Sequence, residues 1–336
     1  MNISTIFVND HGVPRSGWRV VIYLAAYALA TAVMAGVVFS VARIPQNGFG
    51  DDALYYAGIT ALVTLFPAIV MGWLCERRLE GLPFRALGVA FSADWFRHLV
   101  SGLMLGAATL SVVIVIAMSF GHFTFALNTV PTGEIWLTLA RSLVVLSVAA
   151  AWEEVFFRGY VFQTLTRARL EWLAITLTAA FFGLVHIMNP SAGSISTVNT
   201  ILAGIWLGFA YLKTRDLWFP FGIHLMWNWL QGAFFGIEVS GLTDIFPAPL
   251  LKEFDAGPEW ITGGNYGIEG SAACTFAIII SIAAIRFLPR PKPEGDQLAL
   301  STGDSSKRLD LERNIDGAGR MGQAADRDQI DAGFGK

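Results

Sequence analysis

Two adjacent carboxylates, Glu153 and Glu154, stand inside a long apolar stretch, and Arg158 follows four residues after the second. Residues four apart share one face of a helix, so Glu154 and Arg158 are expected to pair and to neutralise each other. Glu153 then points about 100° away from that pair. A carboxylate in apolar surroundings can act as a general base toward water, so Glu153 is the candidate reactive group.

Two further pairs have the same four-residue spacing, Phe182 with His186 and His224 with Asn228. Imidazole can share the work of a base or donate to a developing oxyanion, and a carboxamide can also donate to one. Glu153, His186, His224 and Asn228 are therefore the candidate catalytic residues. Alternatively, Glu153, His186 and His224 could hold Zn²⁺ as three protein ligands with a water in the fourth position. Both chemistries stay open, and both hydrolyse an acyl bond.

Composition places these residues in a membrane protein. The chain of 336 residues is 54% hydrophobic and only 15% charged, whereas a soluble domain carries about a quarter charged residues. A net charge of -3 argues against a nucleic-acid partner. The apolar composition instead predicts that the protein is surrounded by the lipid bilayer.

A bilayer-spanning helix needs roughly 20 mostly apolar residues. Eight apolar runs approach this length: 18–42, 53–75, 99–120, 135 to about 166, 172–188, 198–212, 219–235 and 271–288. The sequence therefore predicts an all-α integral membrane protein, a bundle of about eight transmembrane helices with a buried polar site. The fifth, sixth and seventh runs are short, which favours places inside the bundle.

Basic residues concentrate in alternate connections between these runs, and such connections usually face the cytoplasm. Eight spans with both termini in the cytoplasm put nearly all of this charge on one side. Four segments are predicted: residues 1–134 with the first three helices, 135–236 as a core with the three polar pairs, 237–288 with an outer loop and the eighth helix, and 289–336 as a disordered cytoplasmic tail.

The polar residues also match in depth. With a rise of 1.5 Å per residue, Glu153, His186 and Asn228 each lie about 20 Å from the inner end of their helices. This estimate treats the fourth helix as straight and continuous through Gly159. Matched depth on three helices indicates one shared site rather than scattered interhelical contacts.

The three groups, in this order, resemble the motifs of the CAAX-processing and bacteriocin-processing intramembrane protease family, which includes proteins similar to CAAX prenyl protease 2. The resemblance covers about residues 141–231. The matching motifs are Glu153-Glu154-x-x-x-Arg158, Phe182-x-x-x-His186 and His224-x-x-x-Asn228.

This resemblance implies a helical membrane protease in which Glu153 and His186 activate water, while His224 and Asn228 stabilise the oxyanion. The remaining motif residues are supporting ones: Glu154, Arg158 and Phe182. The family is termed metallo-, which leaves Zn²⁺ open as a cofactor. The implied partner is a membrane-associated peptide or protein, with prenylated substrates an expectation only.

A different class of function also fits these residues. A non-catalytic membrane scaffold or immunity protein could use the same polar set only to lock helices together. An ion or proton transporter is disfavoured because no internal repeat is visible. Outside the motifs, His98 is given no chemistry, and Asp216 is expected to be solvated.

Overall fold

The computed structural model describes residues 7–8, 12–42, 53–242, 245–288 and 300. Apart from Leu300, the predicted tail 289–336 lies outside the described residues. The α-helices are α1 (Ser16–Ala42), α2 (Ala53–Cys75), α3 (Trp95–Phe120), α4 (Thr132–Glu154), α5 (Val161–Arg167), α6 (Glu171–His186), α7 (Ser194–Thr214), α8 (Trp218–Trp229), α9 (Glu259–Thr262) and α10 (Ala272–Phe287). The strands are β1 (Phe123–Leu127) and β2 (Leu251–Asp255).

Wider and tighter helical turns extend or join these elements. The π-helical segments are Glu76–Glu80 after α2, Val155–Tyr160 between α4 and α5, and Leu230–Phe234 after α8. The 3₁₀ turns are Phe84–Leu87, Gly264–Tyr266 and Ile268–Gly270.

Within the described residues, five helices are long and apolar enough to cross a membrane: Ser16–Val41, Ala53–Glu80, Trp95–Phe120, Thr132–Arg167 and Ser194–Thr214. Two more helices, α6 and α10, are apolar but shorter. The prediction of an all-α integral membrane protein is confirmed, and the count of eight is approximate. The prediction of a short sixth helix was wrong, because α7 has 21 residues.

The fourth apolar run is not the straight helix that the depth estimate assumed. Directly after Glu154 the backbone widens into the π-helical turn Val155–Tyr160, in which Gly159 departs from helical geometry (φ −73°, ψ −120°). A side chain at Gly159 would have its Cβ 3.3 Å from Leu87 Cδ1, so glycine also allows a close approach here. The kink therefore lies between the two carboxylates at the end of α4 and the helix α5.

Close backbone contact joins α3 to α8, the helix with the third polar pair. A Cβ added at Gly102 would lie 2.2 Å from the carbonyl oxygen of Phe219, and one at Gly106 would lie 2.5 Å from that of Ile223. Small residues four apart allow such approach between membrane helices. The first predicted segment thus packs directly on the predicted core, and the four-segment division stays a prediction.

One end of the bundle is covered by residues 236–242 and 245–270, the described parts of the 236–270 loop that connects α8 to α10. Its strand β2 pairs antiparallel with β1, from Phe123 opposite Asp255 to Leu127 opposite Leu251. This two-stranded sheet was not predicted, because each strand is only five residues long.

The opposite end is held by a buried ion cluster. The guanidinium of Arg167 donates to both carboxylate oxygens of Glu80 at 2.8 and 3.0 Å, and it lies 3.8 Å from Glu76. Arg19 reaches Glu80 at 3.3 Å. These contacts join α1 and α5 to the π-helical segment Glu76–Glu80 that follows α2.

Candidate active site

A cavity of about 480 Å³ opens among α4, α6, α7, α8 and the 236–270 loop. The four candidate catalytic residues all line it: Glu153, His186, His224 and Asn228. Phe182 lines it too, whereas Glu154 and Arg158 lie behind its wall with almost no exposure. The structure thus brings together residues from three helices, while their catalytic roles stay predictions.

His224 is positioned by two carboxylates. Its Nδ1 donates to Glu154 Oε1 at 2.9 Å, and its Nε2 lies 3.7 Å from Glu153 Oε2. The bond at Nδ1 fixes the ring, so Nε2 is the nitrogen that faces Glu153 and the reacting groups. Depending on its proton, Nε2 can accept a hydrogen bond or donate one.

Glu154 and Arg158 pair as their spacing predicted, and they do more than neutralise each other. Arg158 is fully buried, and it donates to Glu154 Oε1 at 3.1 Å and to the carbonyl oxygen of Gly204 at 3.2 Å. Glu154 Oε1 also accepts from His224, a contact between residues 70 apart in the chain. Glu154 therefore holds the His224 ring through a contact between helices, which helical spacing alone had no means to show.

His186, the last residue of α6, is oriented by its own helix. Its Nδ1 donates to the carbonyl oxygen of Phe182 at 2.7 Å, which leaves the Nε2 lone pair for a water or a substrate. The Phe182 ring lies 4.7 Å from the His186 ring and 6.2 Å from the His224 ring. Phe182 is thus an apolar spacer between the two imidazoles, and it contacts Arg158 on its face at 4.9 Å.

Asn228 stands in the last turn of α8, before the helix widens at Leu230. Its side chain lines the cavity and forms no hydrogen bond with any other residue that the structure describes. The carboxamide N–H groups of Asn228 are therefore available to a ligand, as a donor to an oxyanion would have to be.

The zinc alternative finds no support in this arrangement. Across the described part of the chain, no three His, Cys, Asp or Glu side chains are grouped as a metal site requires. Because the described residues do not group three such ligands, the chemistry below is derived from the side chains alone.

The cavity contains a further carboxylate, Glu269, which sequence reasoning missed. Glu269 Oε1 accepts from the indole Nε1 of Trp227 at 3.1 Å, and Oε2 accepts from the backbone N and the Oγ of Ser240 at 2.5 and 2.8 Å. Glu269 stands in a glycine-rich loop with no periodicity, so no local pattern marked it.

Asp216, expected to be solvated, is fully buried. It accepts a short hydrogen bond from Nδ1 of His98 and, through Oδ1, one from the backbone N of Trp218 at 3.0 Å. The expectation was wrong because the Asp216 carboxylate accepts a hydrogen bond from a backbone amide in the first turn of α8. The free amides and the dipole at a helix N-terminus stabilise a carboxylate there even when it is buried. This pair lies away from the cavity.

Comparison with known proteins agrees with the motifs. Residues 134–230 match the model of a family described as type II CAAX prenyl endopeptidase Rce1-like. An uncharacterized protein of Bacillus subtilis (strain 168), YyaK, is 25% identical over 195 residues, which are 56% of this chain. The chain spans about three-fifths (62%) of the length of this curated relative. The resemblance seen in the motifs is confirmed over residues 134–230, the part of the chain that is similar to the Rce1-like family of CAAX prenyl endopeptidases.

Proposed function

We propose that this protein is an intramembrane endopeptidase that hydrolyses a peptide bond of a membrane-associated or prenylated-type substrate. The observation that supports this most is the meeting of Glu153, two imidazoles and Asn228 in one cavity whose other walls are mostly apolar. Polar groups inside a membrane are costly, so their presence there indicates a functional site. Here they come from three different helices.

The reaction follows from the atoms that face the cavity. Glu153 takes a proton from a water, and the water oxygen attacks the peptide carbonyl carbon. His186 Nε2 accepts the second hydrogen bond of that water and orients it. The carbonyl oxygen becomes an oxyanion, to which Asn228 and a protonated His224 donate. The C–N bond then breaks, and the proton held by Glu153 passes to the leaving nitrogen.

Apolar side chains from α4, α6 and the π-helical turn between α4 and α5 make up much of the cavity wall, among them Trp152, Phe156, Phe181 and Val185. Such walls limit the number of waters near the reacting groups and favour an apolar stretch of substrate. We also propose that both chain termini face the cytoplasm, the arrangement that the distribution of basic residues favours.

The test is turnover of internally quenched apolar peptides by the purified protein in lipid vesicles. Glu153→Ala and His186→Ala should each lower turnover at least 100-fold without loss of folding. The matched controls are Glu134→Ala, an exposed carboxylate on α4, and His122→Ala, an exposed imidazole in the turn before β1, and both should keep full turnover.

Unchanged turnover in Glu153→Ala would refute the proposal. If Glu153→Gln and His224→Ala instead only lowered thermal stability, with no effect on any peptide or phenotype, the non-catalytic scaffold would be the better assignment.

A further inference from the structure

The cavity has a marked imbalance of charge. Its lining includes two carboxylates, Glu153 and Glu269. No Lys or Arg is found among the lining residues that the structure describes. The guanidinium of Arg158 lies behind the wall and already donates to Glu154 and to the Gly204 carbonyl. Apart from the two imidazoles, the cavity offers a ligand acidic groups and no cationic one.

Glu269 is held in place by hydrogen bonds. Three donors, one on Trp227 and two on Ser240, point at its oxygens and fix their positions. A carboxylate has about four acceptor sites, so one remains on Oε1 for a ligand. Glu269 lines the same cavity as Asn228, the residue that would bind the oxyanion.

A fixed carboxylate in apolar surroundings attracts a cation and repels an anion more strongly than it would in water. An acidic side chain bound beside Glu269 would place a third carboxylate in this cavity, whose described lining has no Lys or Arg to receive it. A lysine or arginine side chain would neutralise Glu269 and satisfy its remaining acceptor site.

We propose that Glu269 is a specificity-determining residue that forms a subsite for a cationic side chain, lysine or arginine, of a membrane-associated peptide. The inference rests on the proposed peptidase function and names its substrate class: an apolar peptide with a basic residue near the cleaved bond. The same charge disfavours an acidic side chain at this place.

The test measures binding, which does not require turnover. Three dye-labelled apolar peptides with blocked termini differ only in one central residue, which is lysine, norleucine or glutamate. Their dissociation constants are measured by fluorescence anisotropy at low temperature with the protein in detergent micelles. The lysine peptide should bind about tenfold more tightly than the norleucine peptide, and the glutamate peptide at least tenfold more weakly.

Variants separate the charge of Glu269 from a merely structural role. Glu269→Gln should bring the lysine and norleucine peptides within about twofold of each other, and Glu269→Asp, which keeps the charge, should retain most of the preference. Glu259→Gln is the matched control, because Glu259 is exposed on α9 in the same loop. A structural tether alone would be disturbed by both substitutions of Glu269 and would show no charge preference in the parent protein.

Each outcome decides something. Equal affinity of the parent protein for the lysine and norleucine peptides overturns the inference, even if Glu269→Gln fails to fold. A lysine preference that survives in a folded Glu269→Gln variant overturns it as well. If none of the three peptides binds, the inference of a basic subsite fails, whereas the peptidase function is still decided by turnover in Glu153→Ala.

Discussion

The buried pair of Glu154 and Arg158 allows structural support to be separated from catalysis. Both side chains are at most 1% exposed, and His224 Nδ1 shares the Glu154 oxygen that Arg158 binds. Removing one member leaves an uncompensated buried charge, so Glu154→Met and Arg158→Met should each lower the free energy of unfolding by about 3–5 kcal/mol.

The double variant should be much less destabilised than the sum of the single variants. Replacing a whole buried ion pair by apolar side chains of similar size is often neutral, so the main remaining cost is the orphaned His224 Nδ1–H, about 1–3 kcal/mol. The double variant should therefore unfold within about 3 kcal/mol of the parent protein.

Turnover should not recover with stability. Without Glu154 the His224 ring has no acceptor at Nδ1, and loss of a group that orients a catalytic histidine costs on the order of 100-fold or more. A folded but slow double variant would identify Glu154 as a positioning residue rather than a structural clamp alone.

Unfolding by sodium dodecyl sulfate in mixed micelles, followed by tryptophan fluorescence, measures the stabilities, and the quenched peptides measure turnover. Glu134→Met on the exposed face of α4 is the control and should change neither quantity. Single variants as mild as this control, or additive losses in the double variant, would refute the reasoning about buried charge. Full turnover in the double variant would refute the positioning role.

Two further predictions concern packing and pH. Gly106→Val should destabilise the protein by about 1–3 kcal/mol, because a Cβ there would lie 2.5 Å from the carbonyl oxygen of Ile223. Gly36→Val on α1, where a Cβ meets nothing within 4 Å, should be nearly neutral in the same unfolding assay. In β2, burial and the neighbouring Glu238 raise the pKa of Glu253 from 4.5 to about 8. The folded strand therefore keeps a proton that the unfolded chain releases, so its stability is complete below about pH 4.5 and falls as the pH rises toward 8. Amide exchange in β2, corrected for its intrinsic pH dependence, should show this loss in the parent protein and not in Glu253→Gln; equal behaviour of the two would contradict the assignment.

Local sequence patterns were enough to predict the all-helical fold class and the pairs of residues that share one helix face. Long apolar runs have no stable alternative to helices in lipid, and a four-residue spacing fixes a shared face whatever surrounds it. For this reason the sequence alone indicated the Glu154–Arg158 contact, and it marked His186 and Asn228 as candidates.

Tertiary structure alone decided what these groups do to one another. The bond from His224 to Glu154 joins residues 70 apart, and Glu269 reaches the cavity only because a loop without periodicity folds over α8. At the π-helical turn, a Cβ on Gly159 would likewise lie 3.3 Å from Leu87 Cδ1, a side chain distant in the sequence. Such contacts are set by how helices pack, and packing depends on the shapes of many distant side chains at once, which no spacing within one segment records.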